Sequence, residues 1–242
     1  MGTRRYVAIL FSFLLTGCAG RQTGDEWRML VDGQNLHDWV SQDPSKGDQW
    51  STANAVALDA DDPSKFAITP GVGVFVNCVS GKTENLVSKE KFGDVEAHIE
   101  FTAPQGSNSG IFFMGLYEVQ VADSFGKEEI AFSDCGGFWG RKIDGEWVGG
   151  TPPLVRACEA PGVWQSFDVK FRAPRFDDAG NKVENARFLE VRHNGTVIHQ
   201  NVEMLGPNSA HMDIPEAALG PLMLQGDHGP VAYRNVRMSP LK

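Results

Sequence analysis

The sequence predicts an all-β domain in which two antiparallel sheets pack face to face. The 242-residue chain contains 27 glycines and 13 prolines, so turns are frequent. Hydrophobic residues make up 41% of the chain and aromatic residues 10%, which is enough to fill one large core. Short runs of alternating apolar and polar residues lie between the turn signals, and helical periodicity is nearly absent. Two packed sheets are the usual way to bury the apolar side of many such strands.

Alternation of apolar and polar residues identifies the individual strands. In residues 94–101, the side chains of Val95, Ala97, Ile99 and Phe101 share one face. Residues 187–202 predict a hairpin that turns at Asn194-Gly195. About a dozen strands are expected, and one candidate for a helical turn lies at residues 215–219. Further predicted strands cover residues 66–69, 73–76, 166–171, 222–225 and 231–238.

The N-terminus has the features of an export signal. Arg4 and Arg5 precede an apolar run over residues 7–15, which is too short to span a bilayer as a helix. Leu15-Thr16-Gly17-Cys18 resembles the bacterial lipobox, in which the cysteine thiol receives the lipid. We therefore expect a signal peptide at 1–17, a lipid-anchored tether at 18–26 and a single domain at 27–240. The protein would be an exported lipoprotein, with the outer membrane favoured because Ala19 follows the cysteine.

The charge of the chain and its motifs exclude several functions. A formal net charge of −9 argues against nucleic-acid binding, which requires a basic surface. The sequence contains no phosphate-binding glycine loop, no His-Glu-x-x-His helix and no Gly-x-Ser-x-Gly elbow. Adjacent acids at Asp61-Asp62 and Asp177-Asp178 are typical of solvated turns, although calcium binding is an alternative.

Three cysteines remain after Cys18. Cys135 and Cys158 flank a loop rich in glycine and proline, and a disulfide between them would stabilise the fold by roughly 3 kcal/mol. The alternative is that these two and Cys78 are buried free thiols.

Several motifs together resemble those of the 3-keto-disaccharide hydrolase domain family. They occur in order over nearly the whole chain after the signal, although Phe138-Trp139 and residues 154–158 depart from the family pattern. The motifs are Leu30-Val31-Asp32-Gly33 with Trp39, Asn108-Ser109-Gly110-Ile111, Tyr117-Glu118-Val119-Gln120 with Asp123, Cys135-Gly136-Gly137, Gly162-Val163-Trp164-Gln165, and Gly220-Pro221 through Gly226-Asp227-His228-Gly229 with Tyr233-Arg234-Asn235. The resemblance implies a concanavalin A-like jelly roll that acts on 3-keto-glycosides.

The strand at 117–121 supplies the first candidate catalytic group. Glu118 and Gln120 point to one side of this strand, which the resemblance implies is the concave, sugar-binding face. Asp123 would share that face only if a bulge shifts the register. Laminarinase-type enzymes carry an acid where Gln120 stands, so an ordinary retaining glycosidase is disfavoured.

The second candidate catalytic group is His228, which lies in a glycine-flanked turn and could act as base or acid. Asp227 either orients the His228 ring or begins the turn. His37, His193, His199 and His211 are expected at the surface or in hairpins.

A 3-keto group acidifies the proton on C2, so Glu118 or His228 could remove it and expel the aglycone by elimination. Water would then add back to the enone. A donor or a divalent metal ion would have to stabilise the enolate oxygen. The candidates for substrate binding are Asn108, Gln120, Gln225, Arg234 and Trp139, with Trp147 beside Trp139 in the glycine-rich loop.

The sequence therefore predicts a membrane-tethered hydrolase of 3-keto-glycosides that depends on a sugar 3-dehydrogenase to make the ketone. The alternative is a carbohydrate-binding lipoprotein of the same fold without catalytic activity.

Overall fold

The computed structural model describes residues 27–47, 49–79, 81–208 and 212–242. Nearly all regular structure in these ranges is β-strand, and the one helical element there is a 3₁₀ turn at Pro44–Lys46. The predicted signal, the lipobox cysteine Cys18 and the tether lie outside the described residues. Within the described part of the chain, no helix is long and apolar enough to cross a membrane.

The larger of two main sheets has eight antiparallel strands. Their order is β15-β14-β11-β6-β17-β4-β3, and β1 also pairs with β17. The strands are β1 (Arg28–Val31), β3 (Ser51–Leu58), β4 (Phe66–Val76), β6 (Val95–Thr102), β11 (Gln165–Arg172), β14 (Ala186–His193), β15 (Thr196–Met204) and β17 (Ala232–Pro240).

The smaller sheet has five antiparallel strands in the order β2-β5-β16-β7-β8. Its strands are β2 (Trp39–Ser41), β5 (Leu86–Phe92), β7 (Asn108–Phe113), β8 (Tyr117–Ala122) and β16 (Gly220–Leu224). Two separate hairpins complete the fold. One joins β9 (Arg141–Ile143) to β10 (Glu146–Val148), and the other joins β12 (Arg175–Phe176) to β13 (Lys182–Glu184).

The main core fills the space between the two sheets. The Phe171 ring of the larger sheet lies 5.3 Å from Phe113 and 5.6 Å from Tyr117 of the smaller sheet, centroid to centroid. Ile111, Phe113, Val119 and Val121 reach this core because every second side chain of β7 and β8 points inward. The predicted all-β, two-sheet jelly roll is confirmed.

Local details differ from the sequence predictions. The strands expected at 66–69 and 73–76 form one strand, β4, whose pairing with β3 is irregular near Pro70. The helical turn expected at 215–219 is absent, since those residues are irregular up to β16. His193 and His199 lie in the β14–β15 hairpin, one of the two placements expected, but their side chains are wholly buried rather than at the surface. His199 Nε2 donates to the Gly136 carbonyl at 2.7 Å, and His193 Nε2 contacts Gln165 Oε1 at 2.9 Å.

These two histidines make stability depend on pH. Burial lowers the pKa of His193 and of His199 from 6.5 to about 4, so both stay neutral in the folded protein. The unfolded chain binds these protons below pH 6.5 and the folded chain does not. The free energy of unfolding is therefore highest above pH 6.5 and falls as the pH drops towards 4, by up to about 3 kcal/mol per histidine.

Denaturant unfolding at pH 7 and pH 4.5 tests this effect in the wild type and in His199→Gln. The variant should lose less stability over this interval, because the glutamine does not titrate and its amide can still donate to Gly136. An equal loss in both proteins would show that His199 does not titrate as described.

Candidate active site

The candidate active site lies on the face of the smaller sheet that points away from the core. Along β8, Tyr117, Val119 and Val121 enter the core, while Glu118 and Gln120 point the other way, as their alternation predicts. Both outward side chains are nevertheless only 1% exposed. Phe112 and Met223 are buried on the same face beneath Met212, so this surface is largely sheltered from water.

Gly110 makes room for the Glu118 carboxylate. Gly110 pairs with Gln120 across β7 and β8 and faces the same side of the sheet as Phe112. A Cβ atom at this glycine would overlap Glu118 Oε1 and would lie 2.8 Å from Phe112 Cε2. On the other side of Gly110, the Gln225 backbone N–H donates to the Gly110 carbonyl at 2.9 Å. Glu118 and Gln225 therefore flank a glycine position that has no side chain.

The strand β8 lies at the end of the smaller sheet, and two loops hydrogen-bond to the edge that does not pair with β7. The Glu118 N–H donates to Asn208 Oδ1 at 2.8 Å, and Asn208 Nδ2 donates to the Glu118 carbonyl at 3.3 Å. Two residues later, the backbone of Gln120 pairs with Gly136 and Gly137 at 2.7 and 3.0 Å. Gly137 allows this approach, because a Cβ there would overlap the Phe132 carbonyl. The strand β8, which carries Glu118 and Gln120, is thus held on both edges.

A chain of hydrogen bonds links Gln120 to two predicted substrate-binding residues. Gln120 Nε2 donates to Asn108 Oδ1 at 2.8 Å, and the Trp139 indole N–H donates to Gln120 Oε1 at 2.6 Å. The half-buried Trp139 ring contacts Phe132 and the exposed Trp147, with centroids at 5.2 and 5.7 Å. Gln120 therefore orients Asn108 and Trp139, and the two tryptophans form an aromatic surface at this end of the sheet.

His228 lies beside the same sheet, in an exposed turn after β16. Its Nδ1 is 2.6 Å from Asp227 Oδ1 and 3.1 Å from Gln225 Nε2. The shorter contact, in which Nδ1–H donates to the Asp227 carboxylate, supports the interpretation that Asp227 orients the imidazole. Because Gln225 also flanks Gly110, the turn adjoins the Glu118 side of the sheet.

Asn77, which sequence reasoning missed, holds this turn. Its side chain is wholly buried, with Nδ2 donating to the carbonyls of Gly226 and Gly229 at 3.0 and 2.8 Å. Its Oδ1 accepts the Val231 N–H at 2.7 Å. Asn77 is about 150 positions away in the chain, so no local pattern could have paired it with His228.

Replacing Asn77 by alanine should destabilise the protein by about 2–4 kcal/mol, because buried backbone groups at Gly229 and Val231 lose their partners. Urea unfolding measures this change. Asn181→Ala is the matched control, since Asn181 bonds Asp177 in an exposed turn and its loss should cost far less. Equal stabilities of the two variants would contradict the assigned role of Asn77.

Two predicted site residues lie elsewhere. Arg234 does not approach Glu118, because its neighbour Tyr233 enters the core and Arg234 therefore points out of the larger sheet. There its Nε donates to Glu100 Oε2 at 2.6 Å, and its guanidinium stacks over Trp164 at 4.1 Å. Asp123 lies beyond the end of β8 and accepts the Gly106 N–H at 2.9 Å, so it stabilises a turn. Neither residue joins the cluster around Gly110.

Cys135 and Cys158 are free thiols that hydrogen-bond to each other, so the expected disulfide is not formed in this structure. Cys78 is also free. The hydrogen bond with Cys135 lowers the pKa of Cys158 to about 6, whereas burial raises the pKa of Cys135. Cys135 directly precedes the Gly136-Gly137 turn that contacts Gln120.

No group of three or more His, Cys, Asp or Glu side chains that could hold a metal ion is found among residues 27–47, 49–79, 81–208 and 212–242. His211 lies outside these ranges. The described residues therefore assign no metal ligands.

Comparison with known proteins gives a consistent result. A solved structure from Parabacteroides distasonis ATCC 8503, described as a candidate glycosyl hydrolase, is 27% identical over 89% of this chain and 84% of its own, with a TM-score of 0.63. Another candidate glycosyl hydrolase from the same organism shares the fold, with a TM-score of 0.57 at 15% identity over 90% of this chain and 95% of its own.

Comparison with curated proteins found no match. A family profile, by contrast, matches residues 26–239, almost the whole described chain. The family and the 27% identical solved structure support a carbohydrate-active, hydrolase-like function. The chain belongs to the 3-keto-alpha-glucoside-1,2-lyase-like domain family.

Proposed function

We propose that this protein cleaves the glycosidic bond of 3-keto-glycosides by removing the C2 proton, eliminating the aglycone and hydrating the product. The proposal rests on the position of the Glu118 carboxylate. Glu118 is only 1% exposed, and its carboxylate occupies the space that a side chain at Gly110 would fill. A carboxylate in such a sheltered site is suited to abstract a carbon-bound proton, since little water competes for it.

The reaction requires proton transfers by acid–base groups and stabilisation of the enolate oxygen. A base takes the C2 proton, and the electron pair of that bond forms an enolate with the C3 oxygen. Collapse of the enolate creates the C1–C2 double bond and breaks the C1–oxygen bond, so the aglycone leaves with its oxygen and gains a proton. Water then adds at C1 and a proton returns to C2, which completes a net hydrolysis.

The geometry suggests how the roles divide. Glu118 acts as the base because it is the buried carboxylate on this face. His228 protonates the leaving oxygen and later activates water, while its Nδ1–H donates to Asp227, which fixes the ring. The amides of Asn108 and Gln225 border the site and are the proposed donors to the enolate oxygen. Gln120 contributes by holding Asn108 and Trp139 in place.

The proposed substrate implies a second enzyme that makes the ketone. An oxidoreductase, acting as a sugar 3-dehydrogenase, must first oxidise the C3 hydroxyl to the ketone. We propose that the protein meets this substrate as an exported lipoprotein, attached to the membrane through acyl chains on Cys18, because the lipobox-like sequence precedes a strongly acidic chain.

The test compares a chromogenic 3-keto-glucoside with the same glucoside left unoxidised, using the described domain with and without a chelator. We expect aglycone release from the ketone alone. Release from both compounds at equal rates would indicate an ordinary glycosidase. Binding without release from either would favour the alternative, a carbohydrate-binding protein that uses the aromatic surface of Trp139 and Trp147. The chelator arm reports directly on any requirement for a divalent metal ion.

A further inference from the structure

A cavity of about 270 Å³ opens at the free edge of β8, next to the proposed catalytic groups. The β9–β10 hairpin and the segment that follows β15 form its walls. The lining residues that matter here are Trp139, Arg141, Gly150, Glu203, Gly206 and Asn208. Its volume suits one sugar or aromatic ring, and nothing in the mechanism above uses it.

The cavity is within reach of a substrate that reacts at Glu118. Asn208 lines the cavity and also accepts the Glu118 backbone N–H at 2.8 Å. Trp139 lines it too and bonds Gln120, which lies one strand period of about 7 Å from Glu118. A glycoside whose oxidised ring lies over Glu118 can therefore extend its second unit along the edge of β8 into this cavity.

The cavity has one cationic group without a described partner. Among the described residues, the Arg141 guanidinium makes no hydrogen bond or ion pair, although it is half-buried. Gly206 lies beside it, and a Cβ there would be in van der Waals contact with Arg141 Cδ and Nη1, at 3.4 Å. The acidic residue in the same wall, Glu203, is already neutralised.

The partners of Glu203 come from outside the cavity. Arg187 Nη2 donates to its carboxylate at 3.0 Å, and Asn185 Nδ2 donates at 2.8 Å. The Arg141 guanidinium therefore leaves the cavity with a positive charge that no carboxylate in its wall neutralises. A guanidinium next to an indole ring is well suited to a flat group that carries a carboxylate.

We infer that this cavity is the aglycone site and that it selects leaving groups bearing a carboxylate, such as a uronic acid or an aromatic acid. The inference rests on the proposed function for the position of the scissile bond. Arg141 pairs with the carboxylate, and the Trp139 ring packs against the body of the aglycone.

The kinetic test uses two 3-keto-glucosides, one with a 4-carboxyphenyl aglycone and one with the neutral 4-carbamoylphenyl group. In Arg141→Gln, kcat/KM for the carboxylate substrate should fall roughly 10- to 100-fold, the loss expected for one charged hydrogen-bonded pair. The loss for the amide should be much smaller. Lys142→Gln, on the exposed neighbour in the same hairpin, is the matched control and should change neither value.

A binding measurement separates this inference from the proposed reaction. Tryptophan fluorescence is titrated with the unoxidised 4-carboxyphenyl and 4-carbamoylphenyl glucosides, which requires no turnover. Tighter binding of the acid by the wild type, lost in Arg141→Gln, supports the site even if no ketone is cleaved. Equal affinity of the wild type for acid and amide, or equal losses for both in Arg141→Gln, overturns it even if cleavage occurs.

Discussion

Replacing Glu118 by glutamine should lower kcat for a 3-keto-glucoside by about 10²- to 10⁴-fold, the usual contribution of a positioned general base. Glutamine has nearly the same shape and keeps the packing over Gly110, but its amide cannot accept the C2 proton. Substrate affinity should change little, because the C2 proton is transferred in the transition state and not in the bound ground state. Steady-state kinetics, with unfolding as a check on stability, measures both quantities.

Glu100→Gln provides the matched control for this change. Glu100 is also a strand glutamate, but it lies on the outer face of the larger sheet, where it bonds Arg234 and Asn235. Its replacement should leave kcat unchanged. Wild-type turnover in Glu118→Gln would remove Glu118 from the mechanism.

Replacing Gly110 by alanine should reduce kcat roughly 100-fold while the fold is retained, which is the scale of loss from a displacement of about 1 Å at a reacting group. The new methyl group overlaps Glu118 Oε1 and lies 2.8 Å from Phe112 Cε2, so the carboxylate and the buried Phe112 ring both shift, at a cost of about 1–3 kcal/mol. Circular dichroism should show that the fold is retained, and the urea unfolding midpoint should fall only by the amount that this overpacking explains.

The double variant Gly110→Ala/Glu118→Gln tests whether the glycine acts through the carboxylate. We expect the double variant to be no slower than Glu118→Gln alone, because the displaced group no longer contributes. A further 100-fold loss in the double variant would show that Gly110 acts on something other than Glu118.

The sequence was most informative where structure is local. Alternation along β8 places Glu118 and Gln120 on one face because the two-residue period depends only on the extended backbone. The Gly226–Gly229 turn was recognised because its two glycines are only three positions apart in the chain. The packing on this outward face was not predictable, since Met212, far along the chain, packs against the cluster of Phe112 and Met223 there.

The errors concern contacts between distant segments. Asn77 and Asn208 hold the site through hydrogen bonds to residues 149–152 and 90 positions away, and an isolated asparagine in the sequence carries no sign of such a role. Arg234 was misplaced because its motif is adjacent to the site in the chain. The core position of Tyr233 forces Arg234 onto the opposite side of the molecule.

The central claim is that cleavage begins with removal of the C2 proton, and a substrate deuterated at C2 tests it most directly. Under single-turnover conditions, the wild type should release the aglycone more slowly from the C2-deuterated 3-keto-glucoside than from the protiated one. Part of the deuterium should appear in water. Identical rates together with full retention of deuterium in the sugar product would contradict the account.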